Sequence, residues 1–237
     1  KCRAKSMTSS LLHESKGMLI LGGNERIYSW NFKAEDSLKQ RVIDRLGVIA
    51  CLKWNKDSTS FFASANDRKV VQYSFPDFRV IREIKFGAVG RQIVCFEVLE
   101  DEDLIIMVGE DNAIHCYKFS TGELINKFPT ESPVLFQSVL NHKRNRLMVT
   151  SPLGLSILYE FPSMKIMFDW STPNNSSMGV DFSKDDRFVI IAKGSNDIWM
   201  MNTEDGQLVR KFEGHTATVV VAKFSSDDRY VVSTSPD

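Results

Sequence analysis

Apolar and polar positions follow one another along the chain in a pattern that returns about every 43 residues. Six segments align without gaps, and their first residues lie 42 to 44 residues apart. These segments start at Leu11, Trp54, Val98, Leu140, Phe182 and Phe224. A fixed period of this length is the signature of a repeat architecture in which neighbouring units share a core. The repeat is the strongest structural signal in the sequence.

Each period contains four short apolar segments separated by polar turns, which predicts four β-strands. The first segment is an apolar run such as VIACLKW, which begins at Val48. The second is often β-branched, as in FVIIA from Phe188, and such residues favour strands. The polar turn between these two strands holds an aspartate in one column of the alignment, at Asp57, Asp101, Asp185 and Asp227.

The second half of each period holds a tight turn and two further strands. The turn carries residues that bond their own backbone, at Asn24, Asp67, Asp111 and Asp237. The third strand ends on a column of large side chains, at Trp30, Tyr73, Tyr117, Tyr159 and Met201. The fourth, such as GQLVRKF from Gly206, alternates polar and apolar residues as a half-exposed outer strand does.

Four antiparallel strands in about forty residues, repeated in tandem, predict an all-β fold of β-propeller blades. One blade cannot bury both of its faces alone, so stacking against neighbouring blades supplies the core. Helical periodicity of comparable strength is absent, and residues 33–39 are the one stretch where a turn of helix is expected. Gly22 and Gly23 are expected to form a tight turn between strands.

The last repeat carries motifs that resemble the WD-repeat (WD40) propeller family. It has a Gly214–His215 pair, an FSxDD turn from Phe224, and the pattern Ser233-x-Ser235-x-Asp237. The other repeats are degenerate, because the Trp-Asp dipeptide of the family occurs nowhere in the chain. The resemblance implies that His215, Ser233 or Ser235, and Asp237 form a buried structural hydrogen-bond network. A hydrolase would use the same residue types, but the serines lack a GxSxG setting.

The repeat boundaries predict one incomplete propeller with a partial sixth blade. The predicted blades are residues 5–46, 47–89, 90–131, 132–174, 175–213 and 214–237. Propellers of the WD-repeat family commonly close with seven blades. A chain that stops between the second and third strands of a blade would leave a bare sheet edge. We therefore expect the sequence to continue in both directions.

Composition and charge are those of an ordinary globular protein. The 237 residues contain 43% hydrophobic residues, and 30 basic side chains balance 30 acidic ones for a net charge of zero. This balance argues against attraction of the whole surface to nucleic acid or an anionic membrane. No apolar run is long enough to span a bilayer, so membrane insertion is not expected. The four cysteines form no CxxC pair, which favours reduced thiols inside the cell, in the cytoplasm or nucleus.

Chemistry beyond binding finds little support in the residue patterns. Cys51 and Cys95 share one alignment column and are expected to fill core space in neighbouring blades. His115 and Cys116 are adjacent and would point to opposite faces of a strand, so they cannot chelate one metal ion. Phosphate-binding motifs such as GxxxxGK[ST] or GxGxxG are absent. The sequence therefore predicts no catalytic residue, metal or cofactor, and no small-molecule substrate is evident.

Two features are candidates for contact with a partner. The first is the basic turn, residues 142–146 (HKRNR), in which Lys143, Arg144 and Arg146 could meet phosphates. The second is a repeated Phe-Pro turn, in which Phe78 and Met164 would serve as anchors if they were exposed. The alternatives without a partner are that the basic turn is simply solvated and that Phe78 and Met164 are buried.

Three functions fit these observations. The first is a non-catalytic scaffold that binds other proteins in a multi-subunit complex, as resemblance to the WD-repeat family implies. The alternative is a propeller subunit of a ribonucleoprotein or ribosome-assembly machine, with the basic turn on RNA. A propeller enzyme is the third, and it would need polar side chains converging from several inner strands, which are mostly apolar here.

Overall fold

The computed structural model describes residues 7–33, 40–65, 68–87 and 93–237. In this part of the chain the fold is all-β, with one 3-10 turn at Glu100–Glu102. The strands are β1 Met7–His13, β2 Met18–Asn31, β3 Gln40–Trp54, β4 Ser60–Ala65, β5 Lys69–Ser74, β6 Val80–Lys85, β7 Ile93–Leu99, β8 Leu104–Gly109, β9 Ala113–Lys118, β10 Leu124–Pro129, β11 Gln137–Leu140, β12 Arg146–Thr150, β13 Ser156–Glu160, β14 Lys165–Asp169, β15 Ser177–Phe182, β16 Phe188–Lys193, β17 Ile198–Asn202, β18 Leu208–Phe212, β19 Val221–Phe224 and β20 Val231–Thr234. The described helices include none long and apolar enough to cross a membrane.

The strands form antiparallel sheets of consecutive strands, which is the order within a propeller blade. Strands β7–β10, β11–β14 and β15–β18 each make a four-stranded sheet, and β19 pairs with β20. Strands β1–β6 make one six-stranded sheet, in which β3 pairs with β2 through its first half and with β4 through its second. The prediction of an all-β fold built from four-stranded antiparallel blades is confirmed.

The prediction of a tight turn at Gly22 and Gly23 is wrong. Strand β2 continues through both glycines and through Asn24, because its first half pairs with β1 and its second half with β3. Each half of β2 is therefore hydrogen-bonded to a neighbouring strand, with no turn between the two halves. A Cβ on Gly22 would lie 2.7 Å from Cγ2 of Ile49, so this glycine permits a close approach of neighbouring strands. Residues 34–39, where a turn of helix was expected, and Asp67 lie outside the described residues.

The chain divides into two compact units, each with its own core. Unit 1 contains the chain up to Glu110 together with Ile114–Lys127, and unit 2 contains Asp111–Ala113 and Phe128–Asp237. In unit 1 a buried cluster is built around Phe61 and Tyr73, whose rings stack at 5.2 Å. Unit 2 has two buried clusters, one around Val180 and Ile191 and one around Ile190 and Val219. Adjacent residues of β16 thus face opposite sides, as alternation in a strand requires.

The aspartate column of the first turn is reproduced in three repeats. Asp57, Asp185 and Asp227 each accept a hydrogen bond from the backbone N–H two residues on, at 2.9, 3.0 and 3.2 Å. This local bond fixes the chain reversal between the first two strands. The fourth member, Asp101, lies instead in the 3-10 turn Glu100–Glu102.

The turn between the third and fourth strands is closed by the same hydrogen bond in four repeats. In each, a residue with positive φ donates its N–H to the carbonyl four residues earlier, at 2.8 to 3.1 Å. That residue is Phe78 (φ 59°), Gly122 (73°), Met164 (57°) or Gly206 (74°). Left-handed backbone suits glycine, so the repeats with Phe78 and Met164 carry a conformational cost.

The outer strands are more exposed than their alternating pattern predicts. In β18 four of the five residues are exposed, including Leu208 at 44% and Val209 at 47%. An outer strand is covered on only part of one face, so alternation there does not produce a buried stripe.

Candidate functional site

The residues that carry the family resemblance come together at the β19–β20 hairpin. His215 lies on the loop before β19, and its Nδ1 atom is 3.0 Å from Oδ1 of Asp237. Its Nε2 atom is 2.9 Å from Oγ of Ser233, on β20. Asp237 also accepts the backbone N–H of Thr216, which is the main reason that the pKa of this carboxyl is lowered to about 2. Ser235 is half-buried beside it and contributes to the lowered pKa.

We infer that this constellation is structural. It is not buried as the resemblance implied, because 29% of the His215 side chain and 23% of the Asp237 side chain are exposed. The order carboxylate, imidazole, hydroxyl is also that of a hydrolytic triad. Here, however, the three groups join the loop at His215 to the end of β20, and each satisfies the hydrogen-bonding needs of the next. Such a chain of bonds holds a hairpin together without any substrate.

The basic turn is held by an aspartate of the following sheet. Asp186 is 3% exposed and accepts the backbone N–H groups of His142 at 2.8 Å and Lys143 at 2.9 Å. Its Oδ1 is also 3.0 Å from Nδ1 of His142. The guanidinium of Arg146 donates to Oγ1 of Thr203 at 2.5 Å. Lys143 is exposed and Arg144 is half-buried.

Acidic side chains accompany the basic ones at this turn. A pocket of about 240 Å³ is lined by Lys143 and Arg146 and also by Asp185, Asp186 and Glu204. Because opposite charges are mixed over a few ångströms, the turn presents no uniform positive surface to a phosphate backbone.

Removing the carboxylate that holds this turn is expected to weaken unit 2. In Asp186→Ala, two backbone N–H groups lose their acceptor, and the free energy of unfolding should fall by about 2 kcal/mol. Glu204→Ala, an exposed carboxylate of the same pocket, should cost less than about 0.5 kcal/mol. Urea unfolding of both variants measures the difference, and equal costs would contradict the assigned role of Asp186.

The two candidate anchors of the Phe-Pro turns pack inward. Met164 is buried, with 9% of its surface exposed. Phe78 is half-buried, and its ring lies 6.3 Å from Phe61 and 5.8 Å from Phe75. Neither side chain stands free on the surface, because Met164 is buried and Phe78 packs against two buried rings.

The cysteine pair lies where the alignment placed it. Cys51 on β3 and Cys95 on β7 are buried, and their Sγ atoms are 3.8 Å apart. The neighbouring thiol and burial raise the pKa of Cys51, so the nucleophilic thiolate is disfavoured. His115 is buried and stacks on Tyr117. Within the described residues no group of three or more His, Cys, Asp or Glu side chains could hold a metal ion.

A buried lysine is the main polar feature that sequence reasoning missed. Lys193, at the end of β16, has no exposed surface. Its Nζ donates to Oγ1 of Thr172 at 2.7 Å and to Oγ of Ser177 at 2.8 Å, with Oγ of Ser156 at 3.4 Å. It also lies 4.7 Å from the ring centroid of Trp199. Burial lowers the pKa of Lys193 from 10.5 to about 8, against the opposing field of Asp197.

The lowered pKa of Lys193 predicts a pH-dependent stability. Between pH 8 and 10.5 the unfolded chain holds a proton on this amine that the folded chain has released. The free energy of unfolding therefore rises with pH across this window relative to Lys193→Met, which lacks the group. Urea unfolding of both proteins at pH 7 and pH 9.5 checks this, and a difference that stays constant with pH would contradict it.

An open groove on unit 2 also escaped the sequence analysis. We call it the Tyr159 groove, and its cavity volume is about 510 Å³. It is bounded by residues 129–133 and 153–155, by Ile157 and Tyr159 of β13, and by Ile166 and Asp169 of β14. Its walls come from separate turns and strands, so no local sequence motif predicts the groove. The weak signal available was Leu153, an apolar residue in the alignment column of Asn24, Asp67 and Asp111, where a turn is predicted.

Comparison with known proteins agrees with the hairpin geometry. The model of the family "WD domain, G-beta repeat" matches residues 206–237, which include His215, Ser233 and Asp237. The chain is also similar to the Meiotic recombination protein rec14 of Schizosaccharomyces pombe, with 21% identity over 199 residues. That similarity covers 81% of this chain but only 62% of the yeast protein, less than two thirds of its length. With its repeated four-stranded blades and a matched repeat at residues 206–237, the chain is similar to WD-repeat proteins of the β-propeller type.

Proposed function

We propose that this chain is a non-catalytic scaffold that holds other proteins in a multi-subunit assembly, in the cytoplasm or nucleus. The observation that carries the proposal is the Tyr159 groove, whose rim exposes Leu153 (55%) and Ile166 (53%). Large apolar side chains grouped at the edge of a concave surface are typical of protein-binding sites. The WD repeat at residues 206–237 supports it, because proteins of this family typically bind other proteins.

The yeast relative bears on the setting of such an assembly. Its name, meiotic recombination protein, describes a process on chromosomes. The similarity to this relative, at 21% identity, supports the nucleus, which is one of the two compartments named in the proposal.

The alternative function is an RNA-contacting subunit that uses the basic turn. The exposed Lys143 favours it. The carboxylates of Asp185 and Glu204 in the same pocket oppose it, because they reduce the local positive potential. The scaffold therefore has the stronger support.

The test is affinity purification of the full-length protein from its native cells, with and without nuclease, followed by mass spectrometry. A stable set of proteins that survives nuclease is expected for a scaffold. A set that dissociates with nuclease, together with copurifying RNA, would overturn the proposal in favour of the alternative. Lys143→Glu would then be the first variant to prepare.

A further inference from the structure

We propose that the Tyr159 groove binds a short peptide segment of a partner protein that carries a lysine or arginine next to an apolar residue. This inference rests on the proposed scaffold function and names the chemistry of one of its partners. Three properties of the groove support it: its shape, its rigidity and its unbalanced charge.

The groove offers an apolar surface that is already in place. Ile157 and Tyr159 form its floor and are each 7% exposed, while Leu153 and Ile166 form its rim. A volume of about 510 Å³ is enough for a few side chains of a peptide but small for a folded domain. An apolar side chain of the partner would cover the rim residues and remove their surface from water.

Hydrogen bonds hold the walls of the groove in position. Oγ of Ser132 is 2.7 Å from Oγ of Ser151, which in turn accepts the N–H of Leu153 at 3.0 Å, so residues 129–133 are joined to residues 153–155. On the other side, the N–H of Thr172 donates to the carbonyl of Gly154 at 3.0 Å. Because these loops are tied to each other, a peptide would not pay the entropy of ordering them.

The charge of the groove is negative and unneutralised. Glu131 and Asp169 both line it, and in the part of the chain that the structure describes neither takes part in an ion pair. Both carboxylates add to the effect of burial in raising the pKa of Tyr159 to about 12, so both act on the same phenol. A cationic side chain between Glu131 and Asp169 is complementary to this field, and an acidic one is repelled.

The test is a screen of a random nine-residue peptide library against the folded full-length protein. Wild type should enrich peptides with lysine or arginine adjacent to Leu, Ile, Val, Met or Phe. For the most enriched peptide, Glu131→Gln combined with Asp169→Asn should lower affinity about tenfold, and Leu153→Glu should abolish binding. Raising salt from 0.05 to 0.3 M should weaken binding to wild type more than to the double variant.

Matched controls distinguish the groove from general surface charge. Asp205 accepts the N–H of Gln207 at 2.9 Å, just as Asp169 accepts that of Ser171 at 2.9 Å, and Glu213 is exposed like Glu131. Asp205→Asn with Glu213→Gln removes the same charge outside the groove and should leave affinity unchanged. Circular dichroism and the unfolding midpoint show whether each variant is folded.

Three outcomes would overturn the inference while leaving the scaffold proposal standing. One is enrichment of peptides without a basic residue. Another is binding that none of the groove variants weakens, which would place the peptide elsewhere on the protein. Absence of any enriched peptide, together with a stable set of copurified proteins, would likewise refute the groove and retain the scaffold. Loss of that protein set would refute the scaffold itself.

Discussion

Gly154→Ala is expected to lower the free energy of unfolding of unit 2 by about 3 kcal/mol or more. Gly154 has φ of +99°, a conformation that residues with a Cβ rarely adopt. An added Cβ would lie 2.1 Å from the carbonyl oxygen of Thr172 and 3.1 Å from that of Asn175. Both neighbours are backbone atoms, so the clash cannot be relieved by rotating a side chain. The shift of the guanidinium unfolding midpoint measures this effect.

Two other glycines separate the strain of the backbone from the lack of space. Gly214 has φ of +146° but no atom within 4 Å of an added Cβ, so Gly214→Ala should cost about 1 kcal/mol. Gly87 has neither restriction, and Gly87→Ala should change stability by less than about 0.5 kcal/mol. A cost for Gly154→Ala no larger than that for Gly214→Ala would show that the loop yields to the new methyl group.

Phe61→Ala is expected to destabilise unit 1 by about 3–5 kcal/mol. Phe61 is fully buried, stacks on Tyr73 at 5.2 Å and meets Trp54 edge-on at 5.9 Å. Truncation removes apolar contact on several sides and leaves a cavity that surrounding strands cannot close. Thermal unfolding followed by near-ultraviolet circular dichroism reports the loss directly.

Phe61→Leu and Val80→Ala provide the scale for this result. Phe61→Leu keeps most of the volume and should cost about 1–2 kcal/mol. Val80 is 55% exposed on an outer strand, so Val80→Ala should be close to neutral. If Phe61→Ala behaved like Val80→Ala, the buried cluster of unit 1 would have been assigned incorrectly.

The sequence predicted the features that depend on residue spacing along the chain, namely the strands and their order within each repeat. The period near 43 residues and the four apolar segments within it correspond to the observed sheets, because strand pairing between chain neighbours needs no distant contact. The column containing Tyr73, Tyr117 and Tyr159 is buried, at 1%, 1% and 7% exposure. A position that recurs once per repeat occupies the same place in every blade, and this is why it could be read from one sequence.

Features that depend on contacts between elements could not be predicted. Lys193 occupies the end of an apolar strand. The sequence does not show that three hydroxyl groups from other segments accept hydrogen bonds from its ammonium group. Gly22 looks like a turn residue because glycine is common there, whereas its actual role is to let Ile49 approach. The sequence also gave no sign that Asp186 reaches across to the basic turn.

Because the residue at the left-handed turn between the third and fourth strands differs, one repeat cannot simply take the place of another. At Phe78 and Met164 the side chain is half-buried and buried respectively, and its burial offsets part of the about 1–2 kcal/mol cost of the backbone conformation. At Gly122 and Gly206 the same space is taken by a neighbour.

An added Cβ at Gly122 would lie 2.8 Å from the carbonyl oxygen of Lys85, and one at Gly206 would lie 2.5 Å from Cδ1 of Phe168. If gene duplication or recombination copied a repeat with glycine at this turn over the repeat of Phe78 or Met164, the lost side chain would leave a cavity. The reverse exchange would create a clash. Each repeat is therefore tied to its place in the order, which limits how the gene can gain, lose or shuffle blades.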